Sequence, residues 1–250
     1  MTLSEKVLAV IQARVSSTRL SGKVLKNLNE KPLILHIVER LKRASTIDEI
    51  IVATSTHPSD DTLVDVLKAN DCSYFRGSLE DVLSRYVGAI SFSKASTIIR
   101  VTADCPLVMP TLVDEMVGKF QSLDSDYLSN TILPTFPDGL DLEIFTREAL
   151  LRLNGMALTS QEREHVTLGM RNRSDEFLLS NYNFNRDLSG LRWTVDYPED
   201  LRFIREVYSH FKGRESTFGF EEILELLSTG LVEATSISST RRNEALRPPN

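Results

Sequence analysis

Along the first hundred residues, apolar runs of strand length alternate with stretches of helical periodicity. Residues 7–13, 50–54, 73–75 and 97–101 read as strands, and residues 32–43, 59–70 and 79–92 read as helices between them. Pro32 suits the opening turn of the first helix, and Leu33, Ile34, Ile37, Val38 and Leu41 recur at helical spacing behind it. Ser59-Asp60-Asp61 reads as an N-terminal cap with acids in the first turn, ahead of Leu63, Val64 and Leu67. Strands alternating with helices predict βαβ crossovers, hence an α/β fold with a doubly wound, mostly parallel sheet covered on both faces. Ligands bind such sheets at the carboxyl ends of the strands. The loops after Ala13, Thr54, Arg76 and Val101 are therefore expected to face one cleft.

After residue 105 the rhythm changes. Residues 111–121 read as a helix, 127–130 as a short strand, and Pro134-Thr135-Phe136-Pro137-Asp138-Gly139 as a loop before a strand at 142–145. Helical patterns at 147–153 and 160–171, with a strand near 177–181, suggest an excursion over about residues 131–181 that leaves the main sheet. A strand at 191–195 and an amphipathic helix at 198–211 then resume the pattern. The expected organisation is one domain over residues 1–236, followed by a polar tail, 237–250, that frays.

Composition narrows the class. A chain of 250 residues that is 41% hydrophobic can bury one sizeable core with an elaboration. No apolar run reaches the ~18 residues of a membrane helix, so no membrane partner is expected. The polar start, Met1 to Lys6, leads straight into a strand and leaves no room for a signal peptide. Cys72 and Cys105 form no C-x-x-C pair, against a disulfide framework or a zinc site. A cytoplasmic protein is the expectation. A net charge of −6 argues against nucleic acid as a partner.

The charge is unevenly spread. Between residues 14 and 31 stand five cations, Arg14, Arg19, Lys23, Lys26 and Lys31, against one acid, Glu30. The loop Arg14-Val15-Ser16-Ser17-Thr18-Arg19-Leu20-Ser21-Gly22-Lys23 follows the first strand at once. A small-residue, cation-bearing loop after a buried strand suits a nucleoside triphosphate, whose anion its N–H groups and side chains would hold. A solvated basic loop is the alternative. Two aspartates end two other strands: Asp104 after residues 97–101, and Asp196 after Arg192-Trp193-Thr194-Val195. Two such carboxylates can converge on one hard cation such as Mg²⁺. A turn residue at 104 and a helix cap at 196 are the simpler alternatives.

These stretches, with others, carry a resemblance. They are Gln12-Ala13-Arg14 through Gly22-Lys23-Val24-Leu25, Ile51-Val52-Ala53-Thr54-Ser55, Phe75-Arg76-Gly77-Ser78 with Asp81-Val82-Leu83, and Asp104-Cys105-Pro106-Leu107. Tyr127-Leu128-Ser129-Asn130-Thr131, Asp138-Gly139-Leu140-Asp141-Leu142-Glu143, Glu162-Arg163-Glu164-His165-Val166-Thr167 and Trp193-Thr194-Val195-Asp196-Tyr197-Pro198-Glu199-Asp200 complete the series. The chain resembles the cytidylyltransferases that activate sialic-type and 3-deoxy-octulosonic acids, and most of all their spore-coat polysaccharide biosynthesis branch. The resemblance runs from about residue 7 to 205.

It implies a sheet of the nucleotide-diphospho-sugar transferase type, CTP as donor, and Mg²⁺ as cofactor. The implied activity is CTP-dependent nucleotidyl transfer to a small sugar-type acceptor, such as a sugar acid. The products are a CMP-activated or CDP-type sugar and pyrophosphate, for surface polysaccharide or glycan biosynthesis. Carried over by position, Ala13, Arg14, Ser17, Arg19 and Lys23 fall on the triphosphate loop, and Arg76, Gly77 and Asp81 near the nucleotide. Asp104 and Asp196 fall on the metal, while Asp138, Asp141, Glu143 and His165 fall on the acceptor side. Arg14, Lys23 and Asp104 carry the implied catalysis. Relatives pair through the equivalent excursion, so a homodimer is implied, with Leu151, Leu153, Met156 and Leu158 as its apolar patch. The chain departs from the branch pattern at Ser16, Ser21 and Ala103, where Gly, Pro and Gly are usual. A side chain at 16 or 103 could crowd a phosphate, so a CTP-binding pseudoenzyme is one rival reading.

A nucleotide-sugar glycosyltransferase is the other rival, on a related fold. It calls for a second acid two residues after Asp104, where this chain has Pro106. Weaker constellations take plainer readings: Glu162-x-x-His165 as a surface or acceptor-contact pair, Cys105 as a small buried thiol, Asp124-Ser125-Asp126 as a turn, and His57-Pro58 as a turn before the second helix.

Overall fold

The computed structural model describes residues 6–17, 19–233 and 235–236. The expected fraying of the tail at 237–250 lies outside the described residues. Seven strands form the central sheet: β1 (Val7–Gln12), β2 (Glu49–Ser55), β3 (Tyr74–Gly77), β4 (Thr97–Thr102), β5 (Tyr127–Ser129), β6 (Glu143–Thr146) and β7 (Leu179–Asn181). Their order is β3-β2-β1-β4-β6-β5-β7. β1 pairs in parallel with β2 and β4, and β2 with β3. β6 runs antiparallel between β4 and β5, and β7 closes the edge parallel to β5. The expected α/β doubly wound, mostly parallel sheet is present.

β1 shows why its sequence is an unbroken apolar run. Val7, Ala9 and Ile11 enter one core, and Leu8 and Val10 enter the other, with none more than 2% exposed. Alternate residues point to opposite faces, and helices cover both. The first core packs against α1 (Leu33–Leu41), α2 (Asp61–Ala69), α4 (Pro110–Gln121), α8 (Pro198–His210) and α9 (Phe220–Ser228). The second takes α3 (Val82–Ile90), α5 (Arg147–Asn154) and residues of a short helix, Leu168–Arg171. Each fully buried aliphatic side chain contributes roughly 1.5–3 kcal/mol. Among the described residues, no helix is long and apolar enough to cross a membrane.

Three expectations change in detail. The excursion over residues 131–181 does not leave the sheet entirely, because β6 and β7 both belong to it. What departs is the helical stretch between them, whose apolar side chains complete the second core. The expected helix at 160–171 is broken into Ser160–Glu164 and Leu168–Arg171, because Val166 takes a left-handed φ of 52°. The expected strand at 191–195 pairs only over Leu191–Arg192, with Thr235–Ser236. Residues 193 and 195 instead tie to the active-site segments: Trp193 N–H donates to the Asp138 carbonyl, and Val195 N–H to that of Asp104.

Candidate active site

β1 and β4 lie side by side, with β2 on the far side of β1, so the strand order reverses between them. That is the switch point at which parallel sheets bind ligands. From β1 the chain enters the cation-bearing loop, which is tied at both ends. The Asp60 carboxylate accepts the Val15 N–H at 2.7 Å, and the Ser55 N–H and hydroxyl at 3.2 and 2.5 Å. Asp60, part of the expected Ser59-Asp60-Asp61 cap, stands at the N-cap position of α2 but is fully buried, and its carboxylate anchors this loop to the end of β2 instead of capping the helix. At the other end Gly22 donates its N–H to the Val15 carbonyl at 3.0 Å, with a φ of 67° that glycine adopts without penalty. A single 3₁₀ turn, Lys23–Leu25, follows and aims Lys23 inward.

Lys23 is the centre of the site. Its Nζ donates to Asp104 Oδ2 at 3.0 Å, Asp196 Oδ1 at 2.9 Å and the Val195 carbonyl at 2.9 Å. Asp196 also accepts from Arg19 at 2.8 Å and from Arg192 at 3.4 Å. Burial opposes the charge on Lys23, but the two carboxylates outweigh it and raise its pKa. Burial likewise opposes the charge on Asp104, yet Lys23 and the Thr102 hydroxyl hold its carboxyl far below the usual range. Although it follows a loop that could have been merely solvated, Lys23 is buried.

Behind this pair stands Arg192, which the sequence reading did not single out. Its guanidinium donates to both Asp200 oxygens at 2.9 and 3.0 Å, and to Asp138 at 2.9 Å as well as Asp196. Asp200 Oδ2 in turn accepts the N–H groups of Asp196 and Tyr197, each at 2.9 Å. Tyr197 is the N-cap of α8, and Asp200 in the first turn reaches back to it, which leaves the carboxylate of Asp196 to Lys23 and Arg19. Gly139 permits the close approach that brings Asp138 to Arg192. Its φ is 108°, and a Cβ there would fall 2.5 Å from the backbone of Trp193 and Thr194.

Arg14, Ser16, Ser17, Arg19, Lys23, Asp104 and His165 line one cleft of about 370 Å³, with Gln12 and Ala103. A larger groove of about 740 Å³ lies elsewhere, along residues 47–52 and 71–75. Ala13 continues the β1 ladder, donating its N–H to the Ala53 carbonyl, and Ser17 Oγ accepts the Leu20 N–H at 3.4 Å. Three residues expected near the nucleotide are engaged outside that lining. Arg76 bonds the Ser55 carbonyl and Asp61, Gly77 ends β3, and Asp81 caps α3 and pairs with Arg163 at 2.6 Å.

On the expected acceptor side, His165 faces the cleft. Burial lowers its pKa, with Arg100 and Arg14 adding to the effect and Glu164 and Glu143 opposing it. Glu143 is buried against Arg100 and accepts from Tyr127 and Thr167 at 2.6 and 2.5 Å. Asp141 is half-buried beside Cys105, whose thiol is pushed up by burial, Asp104 and Asp141. That thiol is inert as a nucleophile. Val166 stands between His165 and Thr167, and a β-branched residue at φ 52° stores about 1–3 kcal/mol of strain, a local cost that fixes both neighbours.

Glu162 is committed to Arg173 and to capping at Thr159, so the Glu162–His165 pair is no metal site. Asp126 sits in the expected turn, bound to Arg152. Ser16 is not among the residues at positive φ, so its side chain carries no backbone strain. Among the described residues no cluster of three or more His, Cys, Asp or Glu stands ready for a metal. The convergent Asp104 and Asp196 nevertheless supply two hard oxygen donors. That set fits Mg²⁺, which takes one or two carboxylates and completes its shell with water and phosphate.

A doubly wound sheet with a cationic loop and paired carboxylates at its switch point suits a nucleotide-dependent transferase. The family model described as Cytidylyltransferase matches residues 8–230, and the chain belongs to that family. The spore coat polysaccharide biosynthesis protein SpsF of Bacillus subtilis is 34% identical over 92% of this chain and 97% of its own. A solved cytidylyltransferase from Leptospira borgpetersenii superposes with a TM-score of 0.86, at 31% identity, over 92% of this chain and 97% of that one. A CMP:2-keto-3-deoxy-manno-octonic acid synthetase solved with CTP shares the fold: TM-score 0.63, 18% identity, 82% of this chain and 99% of that one.

Proposed function

We propose that this cytidylyltransferase transfers the cytidylyl group of CTP to an oxygen of a sugar acid, yielding a CMP-sugar and pyrophosphate for surface polysaccharide synthesis. The observation that carries the reading is Lys23, whose ammonium joins Asp104 and Asp196 where Arg14 and Arg19 also line the cleft. The acceptor oxygen forms a bond to the α-phosphorus, the bond from that phosphorus to the β-phosphate bridge breaks, and the acceptor's proton passes to solvent. Such transfer rests on positioning and charge neutralisation more than on covalent help. Arg14, Arg19 and Lys23 neutralise the departing pyrophosphate.

Asp104 and Asp196 would hold Mg²⁺, which when bound supplies Lewis-acid polarisation of phosphate oxygens and of the incoming hydroxyl. Arg192 keeps Asp196 in place. His165 is assigned to hydrogen-bonding the acceptor, whereas Asp138, Asp141 and Glu143, expected beside it, stand outside the cleft lining, Asp138 bound to Arg192 and Glu143 to Arg100. Pyrophosphate release is the test, with CTP, Mg²⁺ and a panel of nonulosonic acids, octulosonic acids and phosphorylated polyols. Release with at least one sugar acid is expected. Release only with polyols removes the sugar-acid assignment, and a larger thermal shift with a UDP-sugar than with CTP removes the donor.

A further inference from the structure

Three acceptors converge on one ammonium: Asp104 Oδ2, Asp196 Oδ1 and the Val195 carbonyl, all within 3.0 Å of Lys23 Nζ. An ammonium has three N–H donors, so all are engaged. Arg19 and Arg192 also hold Asp196, so the two carboxylates already touch three cations. A divalent cation seeking both carboxylates must compete for oxygens that are hydrogen-bonded, and must sit beside a full positive charge in a partly buried place where water screens little.

We propose that Lys23 closes the cation site of the nucleotide-free protein, and that a triphosphate opens it by drawing the ammonium onto its own oxygens. The divalent cation then enters with the nucleotide, not ahead of it. The opening step rests on the assignment of Lys23 to the phosphates. It asks little of the fold, because Gly22 and Lys26 hold the backbone of the 3₁₀ turn by their own hydrogen bonds, and the long lysine stem can swing while the loop stays put. Two carboxylates relieved of the lysine recover free lone pairs, and the phosphates supply the charge that the lysine leaves to meet.

The test titrates Mn²⁺ into the full chain without nucleotide, following free Mn²⁺ by electron paramagnetic resonance. Wild type is compared with Lys23→Met and with Lys23→Gln, whose amide preserves hydrogen bonding to Val195 should the methionine variant fail to fold. Both neutral variants are expected to bind Mn²⁺ at least tenfold more tightly than wild type. Equal affinity in all three proteins overturns the exclusion. Thermal melting supplies the second readout: CTP in excess EDTA is expected to raise the wild-type midpoint, and Mn²⁺ alone to leave it unchanged. If the Mn²⁺ contrast holds while CTP gives no shift, the nucleotide is not what opens the site, and the assignment of Lys23 to phosphate falls with that step alone.

Discussion

Replacing Arg192 with methionine tests the part of the site that is least visible from outside. The guanidinium side chain is 6% exposed and touches Asp138, Asp196 and Asp200. Burial opposes its charge, but Asp200, Asp138 and Asp196 together outweigh that and raise its pKa. Methionine fills much of the same volume yet leaves three carboxylates facing one another. Removing one partner of a buried ion pair costs roughly 3–5 kcal/mol, because the remaining charge is stranded. In a chain of 250 residues each kcal/mol lowers Tm by about 2–4 °C, so Arg192→Met should melt about 6–20 °C lower. Arg192→Lys keeps the charge but not the planar fork that meets Asp200 with two bonds, and should lose less. Calorimetric melts of both variants, and of Arg192→Met combined with Asp138→Asn, measure the coupling. The double variant should recover part of the loss, since it removes one of the negative charges that Arg192 had offset. Arg192→Met melting within a degree of wild type, or strict additivity in the double variant, would refute the hub.

Asp104→Asn and Asp196→Asn should each abolish pyrophosphate release while the protein stays folded; because Asp200, not Asp196, completes the capping of α8, near-wild-type release by Asp196→Asn across a Mg²⁺ titration would remove Asp196 from the site. Glu162→Gln should cost about 1–3 kcal/mol at pH 7, because the hydrogen bond from Arg173 pulls the Glu162 pKa down to about 2. A depressed carboxyl stabilises above its unfolded pKa and stops doing so as pH falls toward its folded one, so the gap in urea midpoints should narrow from pH 4.5 downward; a gap constant from pH 7 to 3 refutes it. A homodimer should scatter light at twice the 28.2 kDa chain mass at micromolar concentration, whereas the single mass would rule it out. Of the four residues expected in its patch, Leu153 is buried, Met156 and Leu158 pack half-buried on the second core, and Leu151 alone is exposed, at 46%.

The parallel half of the sheet was legible because both its faces are buried: a strand such as β1 has no polar alternation to blur it. Its register then follows from βαβ order, which places Lys23 and Asp104 at neighbouring strand ends. Arg192 escaped notice because its signal is non-local. Asp138, Asp196 and Asp200 lie far apart or on a helix start, and a buried guanidinium reads in sequence as one polar residue in a strand. The acid-rich Asp196–Asp200 turn was the available hint, since so many carboxylates near one buried segment demand a cation. Asp60 misled for a related reason. Ser-Asp-Asp before an apolar helix is a cap by local rules, yet the nearby Val15 N–H and Ser55 hydroxyl outbid the helix for its oxygens. The break at Val166 contradicts local preference altogether, since β-branched residues rarely adopt a left-handed φ, and it stands next to Thr167, whose hydroxyl donates to the buried Glu143.

The loop from Val15 to Gly22 is a ring closed on itself, with Asp60 pinning one point of its rim. A ring of fixed circumference transmits changes of length more faithfully than changes of composition. Exchanging a serine at 16 or 21 for another small residue leaves the closing hydrogen bond from Gly22 to Val15 intact. Adding or deleting one residue inside the ring would rotate the 3₁₀ turn beyond it and swing Lys23 away from both aspartates. The loop should therefore tolerate exchange at Ser16 and Ser21 but no change in residue count between its closing hydrogen bond and Lys23.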